Sequence, residues 1–96
     1  MHVISKKKLR EFWEHYPKAK ASLEAWFQVA KRAEWESFAD VRRAFNSADR
    51  VGRFVVFNIA GNKYRLIAAI HFNRGKLYIR HVLTHAEYDE GKWKDG

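Results

Sequence analysis

The fold is decided by the stretch from Arg53 to Thr84, which reads RFVVFNIAGNKYRLIAAIHFNRGKLYIRHVLT. Val, Ile, Phe and Tyr dominate it, and these residue types suit the half-buried surface of a β-sheet. Two turn sequences, Gly61-Asn62 and Asn73-Arg74-Gly75, divide it into three segments. We therefore predict an antiparallel meander with strands over 53–59, 63–72 and 76–84.

The middle strand of this meander has two different faces, because successive side chains of a strand point to opposite sides. One face carries Tyr64, Leu66, Ala68, Ile70 and Phe72, and the other carries Lys63, Arg65, Ile67, Ala69 and His71. On the last strand the same rule groups Leu77, Ile79 and Leu83 opposite Tyr78, Arg80 and Val82. We expect one face of the sheet to pack on helices and the opposite face to present Arg65.

The residues before the sheet have the 3.6-residue periodicity of helices. An apolar stripe that begins at Leu9 predicts a helix over 6–16, with Ser5 as its N-cap. A second stripe, Leu23–Ala30, follows Pro17, which suits the first turn of a helix. We expect these two helices to pair as a hairpin.

Two shorter elements complete the prediction for this part of the chain. Ser37 and Asp40 have the spacing of a capping box and predict a short third helix that ends near Asn46. Val3 and Ile4 are expected to add a strand at the edge of the sheet. The sheet then has three strands, or four if the edge strand pairs.

The end of the last strand carries a second capping signal. Thr84 and Glu87 have the T-x-x-E spacing, so a short helical turn is predicted to begin at His85. Tyr88 and Asp89 then lie three and four residues on, on the same side of the turn as His85. Residues 91–96 are predicted to form a frayed tail.

Composition limits the class of protein. The chain has 96 residues, of which 47% are hydrophobic, so we expect one α+β domain over 1–96 with a single packed core. It contains no cysteine, which excludes disulfides, thiolate catalysis and cysteine zinc sites. No run of 18 apolar residues occurs, and the first ten residues lack the apolar segment of a signal peptide. We expect a cytoplasmic protein without membrane contact.

The charge distribution indicates an anionic partner. The formal net charge is +8, and no acidic residue occurs from Arg50 to Ala86. That stretch contains seven cationic side chains: Arg50, Arg53, Lys63, Arg65, Arg74, Lys76 and Arg80. Ordinary solvated surfaces mix both signs, so a one-signed stretch of this length favours binding to a polyanion such as RNA.

Cleavage of RNA without a metal needs a base for the 2′-hydroxyl, a cation for the phosphorane and an acid for the leaving oxygen. His85 is the best candidate for the base, Arg65 supplies a cation, and Tyr88 can donate a phenolic proton or stack on a nucleobase. Taken alone, this set is also compatible with a structural histidine at a helix start. No pair of histidines has the spacing of metal ligands, and neither a metal nor a cofactor is expected.

Two motifs resemble those of a known family. F-N-x-x-G-N-x-x-R runs from Phe57 to Arg65, and I-R-x-x-x-T-H-x-E-Y-D runs from Ile79 to Asp89. Together they resemble the HigB family of type II toxin–antitoxin toxins, a branch of the RelE-like superfamily. The resemblance implies a RelE-like fold and a metal-independent mRNA interferase that enters the ribosomal A site and cuts the bound message. It also implies a HigA-like antitoxin with a helix-turn-helix domain as partner.

The resemblance assigns functional residues one by one. It places the family's catalytic arginine, histidine and tyrosine at Arg65, His85 and Tyr88. RNA or phosphate binding is expected at further polar and basic positions, namely Asn58, Asn62, Lys63, Arg80, Lys6, Lys7 and Lys8.

Two other functions are consistent with the same fold. RelE-like proteins include gyrase-poisoning toxins of the ParE kind, which bind a protein and cleave nothing. A basic sheet beside helices is also a common non-catalytic RNA-binding module. The T-H-x-E-Y-D segment, Thr84–Asp89, favours the nuclease over the first, and the lack of a stacking pair on the strand face of Arg65 disfavours the second.

Overall fold

The computed structural model describes residues 1–95, in which three helices cover one face of a five-stranded sheet. The strands are β1 His2–Ile4, β2 Asp49–Val51, β3 Phe54–Ile59, β4 Tyr64–His71 and β5 Lys76–Thr84, in the order β1-β5-β4-β3-β2. The α-helices of the described residues are α1 Lys6–His15, α2 Lys20–Arg32, α3 Phe38–Ala44 and α4 His85–Glu90. Short 3-10 turns occupy Pro17–Ala19, Phe72–Arg74 and Lys92–Asp95. The predicted α+β class is confirmed.

The sheet contains one more strand than the sequence predicts. β1 pairs with β5 as expected of an edge strand, but the pairing is parallel, with Val3 opposite Leu77. The additional strand is β2, which pairs antiparallel with β3 around a turn at Gly52. Asp49 and Arg50 are both exposed, so β2 lacks the alternation of apolar and polar residues by which a strand is recognised in a sequence. It exists because the turn brings its backbone alongside β3.

The main core lies between the sheet and helices α1, α2 and α3. Phe57, near the middle of β3, is 1% exposed and is surrounded by three aromatic rings. Its ring centre lies 5.3 Å from that of Trp26, 6.4 Å from that of Trp35 and 5.3 Å from that of Phe45. Phe57 therefore joins α2, the segment before α3 and the residue after α3 to the sheet. Leu66 of β4 belongs to the same core, as its predicted face requires.

A β-bulge in β5 overturns one predicted face. Ile67 pairs with His81 and Ala68 pairs with Ile79, so Arg80 has no partner across the ladder. An extra residue of this kind reverses the alternation of side chains beyond it. Leu77 and Ile79 pack in the main core, as predicted for one face, but Leu83 packs on the opposite face beside Ile67. The prediction that Leu83 shares a face with Leu77 is wrong for this reason.

Of the three predicted helix caps, only the third forms as expected. Ser5 lies at the N-cap position of α1 with φ +77°, and its side chain makes no capping hydrogen bond. Ser37 likewise makes none; the Asp40 carboxylate accepts the backbone N–H of Glu36 instead, at 2.9 Å. At α4 both halves of the capping box form. The hydroxyl of Thr84 accepts from the N–H of Glu87 at 3.2 Å, and the Glu87 carboxylate accepts from the N–H of Thr84 at 2.9 Å.

A second, smaller core lies on the face of the sheet opposite α1–α3. We call this face of the sheet the open face. Trp93 is 4% exposed and packs there with Phe54, Val56 and Ile67. The prediction of a frayed tail over 91–96 is therefore wrong for residues 91–95, while Gly96 lies outside the described residues. A tryptophan gains too much from burial to remain in solvent when an apolar face is within reach.

No helix within residues 1–95 has the length and apolar character needed to span a membrane.

The packing of Trp93 makes the C-terminal turn part of the folding unit. Trp93→Ala removes a buried indole from between Phe54 and Tyr88, and we expect the free energy of unfolding to fall by about 3 kcal/mol. Urea denaturation followed by circular dichroism measures this loss. Lys92→Ala, at an exposed neighbour, is the matched control and should change stability by less than about 0.5 kcal/mol. Equal midpoints for Trp93→Ala and wild type would show that the turn does not support the fold.

Candidate active site

Arg65 is the buried cation of the open face, with 8% of its surface exposed. Its Nη1 donates to the backbone carbonyls of Asn62 at 3.2 Å and Tyr64 at 3.1 Å. Its Nη2 donates to the side-chain oxygen of Asn62 at 3.2 Å. Among the side chains that the structure describes, no carboxylate forms an ion pair with Arg65. The guanidinium is thus fixed by neutral oxygens and keeps a positive charge that an anion can neutralise.

The ring of Tyr88 lies between this cation and Trp93. The guanidinium carbon of Arg65 is 5.4 Å from the centre of the Tyr88 ring, in cation–π contact. The Tyr88 ring also stacks on the Trp93 ring, with the ring centres 5.2 Å apart and the ring planes inclined at 13°. The indole N–H of Trp93 donates to the Tyr88 carbonyl at 3.0 Å. Trp93 therefore holds Tyr88 against Arg65, a role that sequence reasoning missed although a single tryptophan in a polar tail was a usable signal.

His85 is brought to the same place by strand register. Thr84 pairs with Tyr64 and Leu83 pairs with Arg65, so α4 begins next to the turn that precedes β4. The backbone N–H of His85 donates to the Lys63 carbonyl at 3.0 Å, which ties the start of α4 to that turn.

The imidazole of His85 has one carboxylate partner. Its Nε2 lies 3.2 Å from the Asp89 carboxylate, one helical turn on, as the predicted shared side requires. A neutral histidine that donates from Nε2 has its lone pair on Nδ1. In that tautomer the contact with Asp89 leaves the Nδ1 lone pair of His85 unused by the pair. Among the side chains that the structure describes, no three from His, Cys, Asp or Glu lie close enough together to hold a metal ion.

Three further predicted positions surround Arg65. Asn58 pairs with Arg65 across β3 and β4, and such partners share a face of the sheet. Asn62 holds the guanidinium, as described above, and the backbone carbonyl of Lys63 accepts the N–H of His85. The structure therefore gathers six of the predicted residues at one end of the open face: Asn58, Asn62, Lys63, Arg65, His85 and Tyr88.

The other predicted basic residues lie elsewhere. Lys8 donates from Nζ to the backbone carbonyl of Arg80 at 3.2 Å, and both line a cleft of about 400 Å³ between α1 and β5. Nζ of Lys6 lies 4.4 Å from the centre of the Phe27 ring on α2. Lys7 is exposed. Consecutive residues of a helix point about 100° apart, so the run of three lysines does not form one surface with Arg65.

His81 lies next to the bulge in the α1–β5 cleft. Partial burial lowers its pKa, and the neighbouring positive charges of Lys8 and Arg80 lower it further. It therefore favours the neutral form in the folded protein.

Comparisons with known proteins match this chain over most of its length. A family model described as HigB toxin, RelE-like toxic component of a toxin–antitoxin system, matches residues 19–91. The chain is 35% identical over 92 residues to the mRNA interferase toxin HigB of Escherichia coli (strain K12), covering 93% of this chain and 88% of that protein. The mRNA interferase HigB of Shigella flexneri gives the same values. That of Escherichia coli O6:H1 is 31% identical over 93 residues, covering 94% of this chain and 90% of that protein.

The lowered pKa of His81 predicts the direction in which folding stability changes with pH. As the pH falls below about 6.5, the unfolded chain binds a proton at this position before the folded chain does, so folding stability decreases. We expect His81→Gln to lose less stability than wild type between pH 7.5 and pH 5, measured by urea midpoints. Lys8→Met removes one cause of the shift and should reduce the same loss in part. An identical pH dependence in wild type and His81→Gln would contradict this account.

Proposed function

Because the chain belongs to the HigB family of RelE-like toxins, the toxic components of toxin–antitoxin systems, we propose that it is an mRNA interferase. It cuts messenger RNA as an endoribonuclease and thereby inhibits translation. The observation that carries this proposal is the buried guanidinium of Arg65, which has only neutral hydrogen-bond partners among the described side chains and contacts the ring of Tyr88. His85 starts α4 at the same end of the sheet, where its backbone N–H binds the turn before β4. A fixed, uncompensated cation at the same end of the sheet as a histidine suits the cleavage of a phosphodiester.

Membership of a toxin–antitoxin family supports an antitoxin as partner, and we propose the following specific partners and compartment. The toxin acts on message bound in the ribosomal A site, which places its work in the cytoplasm. It is neutralised by a HigA-like antitoxin with a helix-turn-helix domain. The net charge of +8 and the acid-free stretch from Arg50 to Ala86 support a nucleic-acid substrate, since such a surface attracts phosphates at long range.

The reaction requires no metal in this proposal. Nδ1 of His85 removes the proton of a ribose 2′-hydroxyl, and the 2′-oxygen attacks the adjacent phosphorus. A P–O2′ bond forms and the P–O5′ bond breaks. Tyr88 gives its phenolic proton to the leaving O5′ and is later reprotonated from solvent. The products are a 2′,3′-cyclic phosphate and a 5′-hydroxyl.

Arg65 stabilises the transition state. As the 2′-oxygen attacks, negative charge grows on the non-bridging oxygens, and a guanidinium held in place needs no reorganisation to meet it. Asn62 fixes the guanidinium through two acceptors, and the Tyr88 ring keeps it in position from another direction. Asp89 orients His85 through its Nε2.

The remaining predicted positions have separate binding roles. Asn58 and Lys63 flank Arg65 and His85 and contact the phosphate or ribose next to the cleaved bond. Arg80 and Lys8 form a basic group at the α1–β5 cleft that binds a more distant part of the RNA. Lys6 and Lys7 lie on other sides of α1 and serve as general phosphate contacts.

The cleavage products distinguish an mRNA interferase from a metal-dependent nuclease, a ParE-type toxin and a non-catalytic RNA-binding module. With programmed ribosomes, purified protein should cut the message in the A site, leave a 2′,3′-cyclic phosphate, and fail on a message with a 2′-deoxyribose at the cleaved position. Naked message should be cut far more slowly, since the ribosome positions the substrate. Ends with a 5′-phosphate would contradict attack by the 2′-hydroxyl and favour metal-dependent hydrolysis. Intact message with inhibited gyrase would indicate a ParE-type toxin, and binding without cleavage would indicate an RNA-binding module.

Substitutions at the site should separate binding from chemistry. His85→Gln should lower the single-turnover rate at saturation by about 10²-fold to 10⁴-fold, the usual contribution of a general base, with ribosome affinity unchanged. Arg65→Ala should lower both rate and affinity, because a guanidinium binds the ground-state phosphate and, more strongly, the transition state. Circular dichroism of each variant confirms that it folds. If His85→Gln cleaves at the wild-type rate, the base must be sought at Tyr88 or Asp89.

A further inference from the structure

Two further cations, Arg53 and Lys94, lie on the open face near the turn between β2 and β3. The guanidinium carbon of Arg53 is 5.0 Å from the centre of the Phe54 ring, and Nζ of Lys94 is 5.7 Å from the centre of the Trp93 ring. Both cationic side chains are exposed, while Phe54 and Trp93 are buried against each other with ring centres 6.0 Å apart. Between them is a cleft of about 320 Å³ that Val51 and Gly52 also line.

The chemistry of this cleft suits an anion. In the described part of the chain its lining includes two cations and no acidic residue, and neither Arg53 nor Lys94 forms an ion pair with a described carboxylate. Each cation instead rests on a buried ring, which limits its motion. A cation that is already positioned loses less side-chain freedom when it binds a phosphate.

The cleft is joined to the candidate active site by a row of rings. The Phe54 ring contacts Trp93, the Trp93 ring stacks on Tyr88, and the Tyr88 ring contacts Arg65. Arg53 and Lys94 therefore lie on the same face as Arg65, beyond Trp93. A single strand whose scissile phosphate contacts Arg65 meets this cleft when it follows the open face.

We propose that Arg53 and Lys94 form a phosphate subsite that binds the RNA backbone flanking the scissile phosphate. This inference rests on the proposed function. The contacts are to phosphates, so the subsite adds affinity without preference for a base. The two aromatic rings act as supports for the cations and not as stacking platforms, because both are buried.

The test compares two double variants that remove the same charge. Arg53→Gln with Lys94→Gln empties the subsite and retains Phe54 and Trp93, whereas Arg32→Gln with Arg42→Gln removes two exposed charges from helices α2 and α3. Each is made in a His85→Gln background, and binding to a fluorescent single-stranded RNA oligonucleotide is measured against salt. Two lost phosphate contacts should reduce the slope of log affinity against log salt by about 1.4 and weaken binding about tenfold at physiological salt. The Arg32/Arg42 control should keep the wild-type slope.

Further measurements show which RNA the subsite contacts, and whether the substitutions change the affinity or the cleavage rate. In the active protein, the subsite variant should raise the concentration needed for half-maximal cleavage on programmed ribosomes and leave the rate at saturation within about twofold. Weakened binding to ribosomes without message, with normal oligonucleotide binding, would overturn the assignment to the cleaved strand and would place these phosphate contacts on ribosomal RNA. The single variants should each reduce the relevant slope by about 0.7, and Arg53→Lys should restore the part lost at Arg53.

Several outcomes would overturn the subsite. Equal losses in the two double variants would show that only net charge matters. A lower rate at saturation with unchanged affinity would show that the substitutions act through Trp93 and Tyr88. Weakened binding to the antitoxin alone would assign the cleft to a protein partner. If wild-type protein cleaves no RNA, the proposed function fails, while the oligonucleotide measurement still decides whether the subsite exists.

Discussion

The pairing of β4 with β5 is the constraint on which both the core and the candidate active site depend. Its register places Tyr64 opposite Thr84, so the chain leaves the sheet beside the turn that holds Arg65. A shift by one residue would reverse the faces of β4 and place Leu66 on the open face in place of Arg65. The burial of Leu66 and Ala68 against the helices therefore also decides where the cation of the site lies.

The bulge at Arg80 lets β5 serve two cores in succession. Before it, Leu77 and Ile79 face the helices; after it, Leu83 faces the open side next to Arg65. Without the extra residue, the apolar side chain beside Arg65 would point into the main core. The bulge therefore allows one strand pair to form part of the main core and part of the candidate active site.

The open face is organised by aromatic rings that fix cations. Arg65 is costly to bury with neutral partners alone. The hydrogen bonds that it donates to Asn62 and Tyr64, and its contact with Tyr88, offset part of that cost. Trp93 supports this arrangement because its ring stacks on the Tyr88 ring. Because the rings belong to the second core, the positions of the functional groups depend on hydrophobic packing as well as on their own hydrogen bonds.

The sequence alone determined the features that depend on neighbours along the chain. The three central strands, the apolar stripes of α1 and α2, the two faces of β4 and the capping box at Thr84 are all set by local periodicity or by a fixed spacing. The pairing of Asp89 with His85 is local in the same way, because residues four apart on a helix are neighbours. The residues gathered around Arg65 were named from motifs, and the strand register then brought them together.

Tertiary structure decided what depends on partners distant in sequence. β2 has no apolar pattern and exists through backbone pairing with β3. The bulge at Arg80 is visible only in the ladder with β4, and the burial of Trp93 requires an apolar open face that forms only when the sheet is complete. The separation of Lys6 from Lys8 depends on which elements α1 meets on each side. Side-chain patterns in the sequence indicate which surfaces are apolar. Which of these surfaces contact each other depends on the packing of the whole chain.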